Sequence, residues 1–262
     1  NLGQFLKAEP ISYGNFGQNV FVTSTKGEFV LRGKPHYPWQ FKYVLMPRLS
    51  GQQFNQKTEQ SLPMQGREEI AVALGKNLAK LHKTSFPYSG KYDLMSNSVK
   101  PFGCSFPEWI YKNIDELLKK AHLTNETWIK EILDEGQKAM EIPFTPTFVM
   151  HDYQISNMVL DKVGEKWQVT GLFDFMENYF GDGEVDLSRM VACYLEDDSK
   201  LAKIFLDSYF LSQKRRPGFE KRFPIYMLLE RLTVWEWAKR NEKLWWDSNL
   251  SFIEWFGKYT IK

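Results

Sequence analysis

The sequence predicts an α+β protein with a small, β-rich N-terminal part and a larger, mainly helical remainder. Three observations carry that prediction. The first fifty residues form short alternating and β-branched runs, helical periodicity begins after Gly51, and a small β island near 147–175 interrupts the later helices. With 262 residues, 43% of them hydrophobic and 16% aromatic, the chain has the apolar mass for a substantial core, which excludes a disordered protein.

In order, 6–13 and 19–25 read as strands, Lys26-Gly27 as a turn and 28–32 as a third strand. The run 41–49 (FKYVLMPRL) is a fourth apolar segment that ends in a linker. Residues 67–83 place Ile70, Leu74, Leu78 and Leu81 on one helical face. Segments 106–121 and 125–140 repeat that pattern, with Thr124 and Asn125 as candidate caps. Strands return at 147–151, 157–160 and 167–175, and helices follow at 186–196, 200–213, 219–243 and 249–262. The expected division is 1–49 and 50–262, hinged near 46–51. Between the third and fourth strands lie only 33–41, about eight residues and too few for a packed helix.

Charge and residue counts narrow the function. Thirty-four Lys+Arg against 32 Asp+Glu give +2, without the basic excess of a nucleic-acid binder. Two cysteines, Cys104 and Cys193, make no disulfide framework, and four histidines make a Cys/His metal site a poor expectation. No apolar run approaches a membrane span, and no basic-then-apolar leader follows Asn1. The expectation is a cytoplasmic, reduced protein with neither nucleic acid nor membrane as partner.

The chemistry concentrates in 148–175, FVMHDYQISNMVLDKVGEKWQVTGLFDF. Asp152 and Asn157 leave one strand-like segment, and a hairpin arm then delivers Asp174. One carboxylate that orients a hydroxyl, with an amide oxygen and a second carboxylate for Mg²⁺, suits phosphoryl transfer. An isolated Asp-x4-Asn pair is more often a backbone cap; the ordered set of three is what lifts it above that.

HDYQISN followed by LFDF resembles the signature of the aminoglycoside phosphotransferase and choline kinase-like family, relatives of the protein kinases. That family's loop runs His-Gly-Asp or His-His-Asp, four residues, then Asn, with a metal carboxylate in Ile-Asp-Phe or Phe-Asp-Phe. The resemblance implies a two-lobed protein kinase-like fold, with a small antiparallel β lobe and a larger helical lobe. It implies Asp152 as catalytic base, Asn157 and Asp174 as magnesium ligands, and His151 and Asp186 in structural support. Asp186 stands in GDGEVDL (181–187), similar to the family's Gly-Asp-Pro-x-x-Asp-Leu, and is expected to cap the following helix. Met150 departs from the family, where a His is common.

The same resemblance implies ATP or GTP as phosphate donor, with Mg²⁺. Arg32 falls where the family carries a cation for the α- and β-phosphates, and Gly14 and Gly17 lie in a turn (SYGNFGQN) that would fold over phosphates. Met46, Pro47 and Leu49 resemble the adenine-binding hinge; the Pro47 C=O would accept from the adenine amino group and the Leu49 N–H would donate to the ring. The family also has a helix between the Arg32 strand and the hinge, carrying the acidic partner of the cation. Either that segment is omitted from this sequence near 41–42 or the chain truly lacks the helix; the first is favoured, because loss of the helix would uncover one sheet face.

For the acceptor, Glu177 and Asp182, with Glu184 and 196–198, suit a polycationic aminoglycoside through charge-assisted hydrogen bonds. The plainer account of 196–198 is a solvated helix end. Among five C-terminal tryptophans, Trp235, Trp237 and Trp255 are better explained by packing, which leaves Trp245 and Trp246 as candidate faces for a quaternary ammonium group. His82 and His122 read as packing or surface residues, and the basic run 214–216 as a solvated loop. The expected function is Mg²⁺-dependent transfer of a γ-phosphate to the hydroxyl of a small molecule. The alternative is a non-catalytic nucleotide-binding member of the fold, acting as sensor or scaffold. A protein kinase is disfavoured, because Asp174 is followed by Phe175-Met176 rather than Phe-Gly.

Overall fold

Short β-rich runs separated by a tight turn can pair only with their neighbours, and the N-terminal fifty residues do so. In the computed structural model, which describes residues 2–11, 18–33, 43–93, 95–124 and 126–259, strands β1 (Phe5–Pro10), β2 (Gln18–Ser24), β3 (Gly27–Gly33) and β4 (Tyr43–Pro47) form one antiparallel sheet in that order. The β2–β3 hairpin reverses at Lys26-Gly27, with Gly27 at φ 139°, a backbone conformation that glycine adopts without a steric penalty. Opposite β2, β4 completes the ladder of β3, pairing Arg32 with Val44 and Gly33 with Tyr43. Leu6, Tyr43, Val44 and Leu45 are exposed on this sheet. Gly14, Gly17 and the expected helix-bearing insertion near 41–42 lie outside the described residues.

The chain divides into two compact units, Asn1–Gly51 and Gln52–Lys262. In the second, a three-stranded sheet orders β10 (Lys166–Leu172), β9 (Met158–Val163) and β5 (Gln52–Gln53). A four-stranded sheet orders β7 (Ser98–Pro101), β6 (Gly90–Asp93), β11 (Tyr179–Gly181) and β8 (Thr147–Val149). Around them lie α1 (Gln56–Gln60), α2 (Met64–Leu81), α3 (Phe106–Ala121), α4 (Thr127–Met140), α5 (Glu184–Leu195), α6 (Ser199–Phe210), α7 (Phe219–Arg240) and α8 (Phe252–Phe256).

Local chemistry sets these bounds. Ser105 caps α3 by accepting from the Glu108 N–H at 3.3 Å, and His122 closes the helix in the left-handed conformation, φ 58°. Asp198 caps α6 through the Lys200 N–H at 2.9 Å. Helix α4 differs from expectation: its N-cap is Glu126, with no side-chain bond to the helix, and Asn125 lies outside the described residues. The helix expected over 249–262 is only α8 and a 3₁₀ turn, Gly257–Tyr259, because Trp255 and Tyr259 turn inward to pack.

The core lies among α2, α5, α6 and α7, where Ile70, Leu74, Leu78, Leu187, Val191, Leu201, Phe205, Leu228 and Leu232 are wholly buried. Each such side chain contributes roughly 1.5–3 kcal/mol relative to exposure. Helices α2 and α6 meet at Gly75, where a Cβ would come within 2.5 Å of the Phe205 carbonyl oxygen, so the close approach requires glycine. Among the described residues, no helix is long and apolar enough to cross a membrane.

Candidate active site

Strand β8 ends at Val149 and hands the chain to Met150, His151 and Asp152. His151 has φ 68°, unusual for a residue with a side chain and sustained only where the surroundings fix the backbone. Asp186 supplies that fixing: its Oδ2 accepts the Met150 N–H at 2.8 Å and its Oδ1 the His151 N–H at 2.6 Å. The Asp186 Oδ2 also lies 3.1 Å from His82 Nε2, while His82 Nδ1 lies 2.8 Å from the Tyr209 hydroxyl. A carboxylate only accepts, so Nε2–H donates to Asp186. Asp186 therefore does not cap the following helix: α5 already begins at Glu184, which turns the Asp186 side chain inward. Gly183 makes this possible, because a Cβ there would stand 2.7 Å from His82 Nδ1. His82 is thus a buried brace of the loop, a role that its place at a helix end in the sequence does not reveal.

A buried ion cluster locks the turn before α5. Arg222 grips Glu184 with two bonds, Nε to Oε2 at 2.7 Å and Nη2 to Oε1 at 3.0 Å. Asp182 accepts from the Tyr226 hydroxyl at 2.6 Å and pairs with Arg216. Burial raises the Glu184 carboxyl pKa, against the opposing pull of Arg222. Asp182, expected to meet the substrate, is 3% exposed and committed to this cluster, so it is not available to an acceptor. Arg216, read as part of a solvated loop, is its partner.

The loop beyond Asp152 folds back on it. Tyr153 is fully buried, its hydroxyl donating to the Leu74 carbonyl at 2.8 Å with Asn77 Oδ1 3.0 Å from the same oxygen, and Ile155–Asn157 forms a 3₁₀ turn. That turn brings Asn157 Nδ2 to the Asp152 carbonyl at 2.9 Å and to its Oδ2 at 2.8 Å. Gln154 Nε2 donates to Asp152 Oδ1 at 2.8 Å, and Arg189 Nε stands 3.1 Å from the same oxygen. The Phe173 N–H donates to the Asn157 carbonyl at 3.1 Å, which ties the Asp174 segment to the loop. Asp174 itself has φ 67° and no ion-pair or hydrogen-bond partner among the described residues. Gln154 and Arg189 carry no motif that sets them apart in the sequence; only the fold brings them to Asp152.

Other expected residues scatter. Glu177 is exposed and 3.5 Å from Lys91. Trp246 is not an open face: Trp235 stacks on it at 5.4 Å, and Trp255 lies 4.5 Å away. Trp245 is exposed and donates through Nε1 to Glu196 at 3.3 Å. Of the acidic run 196–198, Glu196 accepts from Trp245 and Tyr259, Asp197 pairs with Arg67, and Asp198 caps α6. In the N-terminal unit, Arg32 lies on β3 with Nε buried and without a hydrogen-bond partner among the described residues, while Met46 and Pro47 end β4 and Leu49 follows.

The donor set fits Mg²⁺ in one particular way. With Nδ2 spent on Asp152, Asn157 keeps its amide oxygen, and the Asp174 carboxyl oxygens have no partner among the described residues. Among the described residues no group of three or more His, Cys, Asp or Glu could hold a metal. Two hard oxygen donors without a protein cage match an ion that completes its shell with water and phosphate.

Architecture and loop define a protein kinase-like α+β phosphotransferase. The phosphotransferase enzyme family (APH) model matches residues 34–221, and the chain belongs to that family: it is a small-molecule kinase. No curated protein matches the sequence. Among solved structures, the ethanolamine kinase of Plasmodium vivax is similar with a TM-score of 0.62 at 12% identity, covering 97% of this chain and 80% of that one. Aminoglycoside phosphotransferase APH(4)-Ia gives 0.63 at 14%, covering 98% and 92%. Macrolide 2'-phosphotransferase MphH from Brachybacterium faecium gives 0.58 at 14%, covering 96% and 91%.

Proposed function

We propose that the protein transfers the γ-phosphate of ATP, or of GTP, to a hydroxyl of a compact, cationic small molecule in the cytoplasm, with Mg²⁺ as cofactor. The observation that carries this reading is the Asp152–Asn157 hydrogen bonding beside an unpaired Asp174. Asn157 and Asp174 would hold the metal, which supplies charge neutralisation on the phosphates when bound. Asp152 accepts a hydrogen bond from the acceptor hydroxyl, points its oxygen at the phosphorus and takes the proton as the bond forms. In the N-terminal unit, the partnerless Arg32 Nε suits the α- and β-phosphates. The Pro47 carbonyl and Leu49 N–H suit adenine; Gly14 and Gly17 retain their sequence-based role over the phosphates.

A cavity of about 240 Å³ opens beside the catalytic loop, lined by Gln56, Glu59, Gln154, Ser156, Cys193 and Asp197. Gln154, which lines it, also donates to Asp152, so the cavity adjoins a residue that holds the base. Its volume lies below the roughly 300–1,000 Å³ of sites for drug-sized ligands, which favours an amino alcohol over a multi-ring aminoglycoside. The ethanolamine kinase neighbour is in line with that choice, and an APH(4)-Ia structure in ternary complex with AMP-PNP and hygromycin B is in line with a nucleotide donor. A coupled assay of ADP release with amino alcohols, aminoglycosides and sugars is the test. Mg²⁺-dependent turnover with a compact amino alcohol is expected; turnover confined to large aminoglycosides contradicts the acceptor class. Nucleotide binding without turnover on any of them would favour the sensor or scaffold.

A further inference from the structure

Asp152 stands at the end of a chain of alternating charges that runs into the helical core. Arg189 Nε is 3.1 Å from Asp152 Oδ1, and Arg189 Nη1 is 2.7 Å from Glu230 Oε1. The same Glu230 oxygen accepts from Arg231 Nη2 at 2.7 Å, and Arg231 lies 3.5 Å from Glu196. Helix α5 supplies Arg189 and helix α7 supplies Glu230 and Arg231. Only 7% of the Glu230 side chain is exposed. Burial pushes its carboxyl pKa up, but Arg189 and Arg231 outweigh burial and hold it below the ordinary carboxylate value. Glu230 is therefore a fixed anion at neutral pH, and Arg189 a fixed cation bound to it.

Two details separate this from a purely structural pair. A buried ion pair is a weak source of stability, so stability alone is a poor reason for keeping one here. And Arg189 spends Nη1 on Glu230 while its buried Nε, the atom nearest Asp152, makes no hydrogen bond of normal geometry. The guanidinium is rigid and held from behind, with its charge directed at the carboxylate. Among the described residues, Asp152 otherwise has only neutral amide donors, from Gln154 and Asn157.

We infer that Arg189, anchored by Glu230, is a positioning residue that fixes the Asp152 carboxylate for the acceptor hydroxyl; this rests on the reading of Asp152 given above. Phosphoryl transfer through a loose transition state depends on alignment of the nucleophile more than on strong basicity, so an arginine-held carboxylate suits it. A planar guanidinium does this better than an ammonium, because its orientation is set by the second bond it makes.

The experiment measures ADP release from MgATP with water as the probe acceptor, AMP-PNP affinity by calorimetry, and crystal structures of the variants. Because Arg189→Met alone leaves Glu230 with one partner fewer, the variant Arg189→Met/Glu230→Gln is made beside it to keep charges matched. A carboxylate displaced by about 1 Å loses on the order of 100-fold in kcat, so a fall of about 10- to 100-fold is expected. AMP-PNP affinity should stay within about twofold, and Arg189→Lys should recover part of the rate. In an Asp152→Asn background, Arg189→Met should remove nothing further. An equal loss in both backgrounds, or a wild-type rate in both charge-matched and single variants, overturns the inference while leaving Asp152 as base. Full turnover by Asp152→Asn overturns the functional reading instead. The crystal structure decides independently of turnover: Asp152 rotated from its wild-type position supports the inference, and Asp152 unmoved in the matched variant refutes it.

Discussion

Two acidic side chains near the catalytic loop show how surroundings divide their roles. Asp174 meets no cation among the described residues and remains available to a metal. Glu59, 3% exposed, is in the opposite state: burial pushes its carboxyl up to about 7, Arg67 pulls it down, and Asp197 adds to the rise. Between the unfolded value of 4.5 and about 7, the folded chain therefore holds a proton that the unfolded chain has released. Stability must fall as pH rises through that window, and the loss is complete above it. The expected size is about 3 kcal/mol. Urea unfolding of wild type and Glu59→Gln across this range is the check. The variant should gain on the wild type with rising pH and then level off; a constant gap contradicts the protonated Glu59. The sequence marks Asp174 through its motif, but Glu59 has no motif, and its state follows only from its burial on α1 beside Arg67 and Asp197.

At the scale of elements, helix α5 is what places Asp186 under the loop, and it is held by the Asp182, Glu184, Arg216, Arg222 and Tyr226 cluster. Breaking a buried pair by removing one partner costs about 3–5 kcal/mol, because the remaining charge is stranded. Arg222→Ala should show a loss of that order in chemical unfolding; a change under 1 kcal/mol, roughly that of a surface pair, would contradict the structural reading. The long helices were legible: Ile70, Leu74 and Leu78 repeat at the period that α2 buries. Strands β6, β7 and β11 were not, since three or four residues are too few for alternation to show. The GDGEVDL motif points to a supporting Asp186 but not to its target: α5 begins two residues earlier, and Asp186 holds the Met150 and His151 N–H groups instead of capping it.

For the whole molecule, the α+β architecture followed from the order of β-rich and helical segments, and family membership from a match over 34–221. Motif strength in the sequence is concentrated near 148–187, where Asp152, Asn157, Asp174 and Asp186 come together in space. Their partners, His82 just after α2, Arg189 from α5 and Glu230 from α7, come from distant segments, and no local pattern announces them. Acceptor chemistry was least legible: the acidic run after Asp174 turned out to be mostly structural, because its charges meet Arg67, Arg216 and Arg222 inside the unit. The central claim is that Asp152 orients the attacking hydroxyl. Its most direct test is ADP release by Asp152→Asn with MgATP and the amino alcohol that the wild type turns over best. The expected result is a kcat lower by about 100-fold or more with AMP-PNP affinity retained, since orientation acts at the transition state. A wild-type kcat in Asp152→Asn would contradict the account.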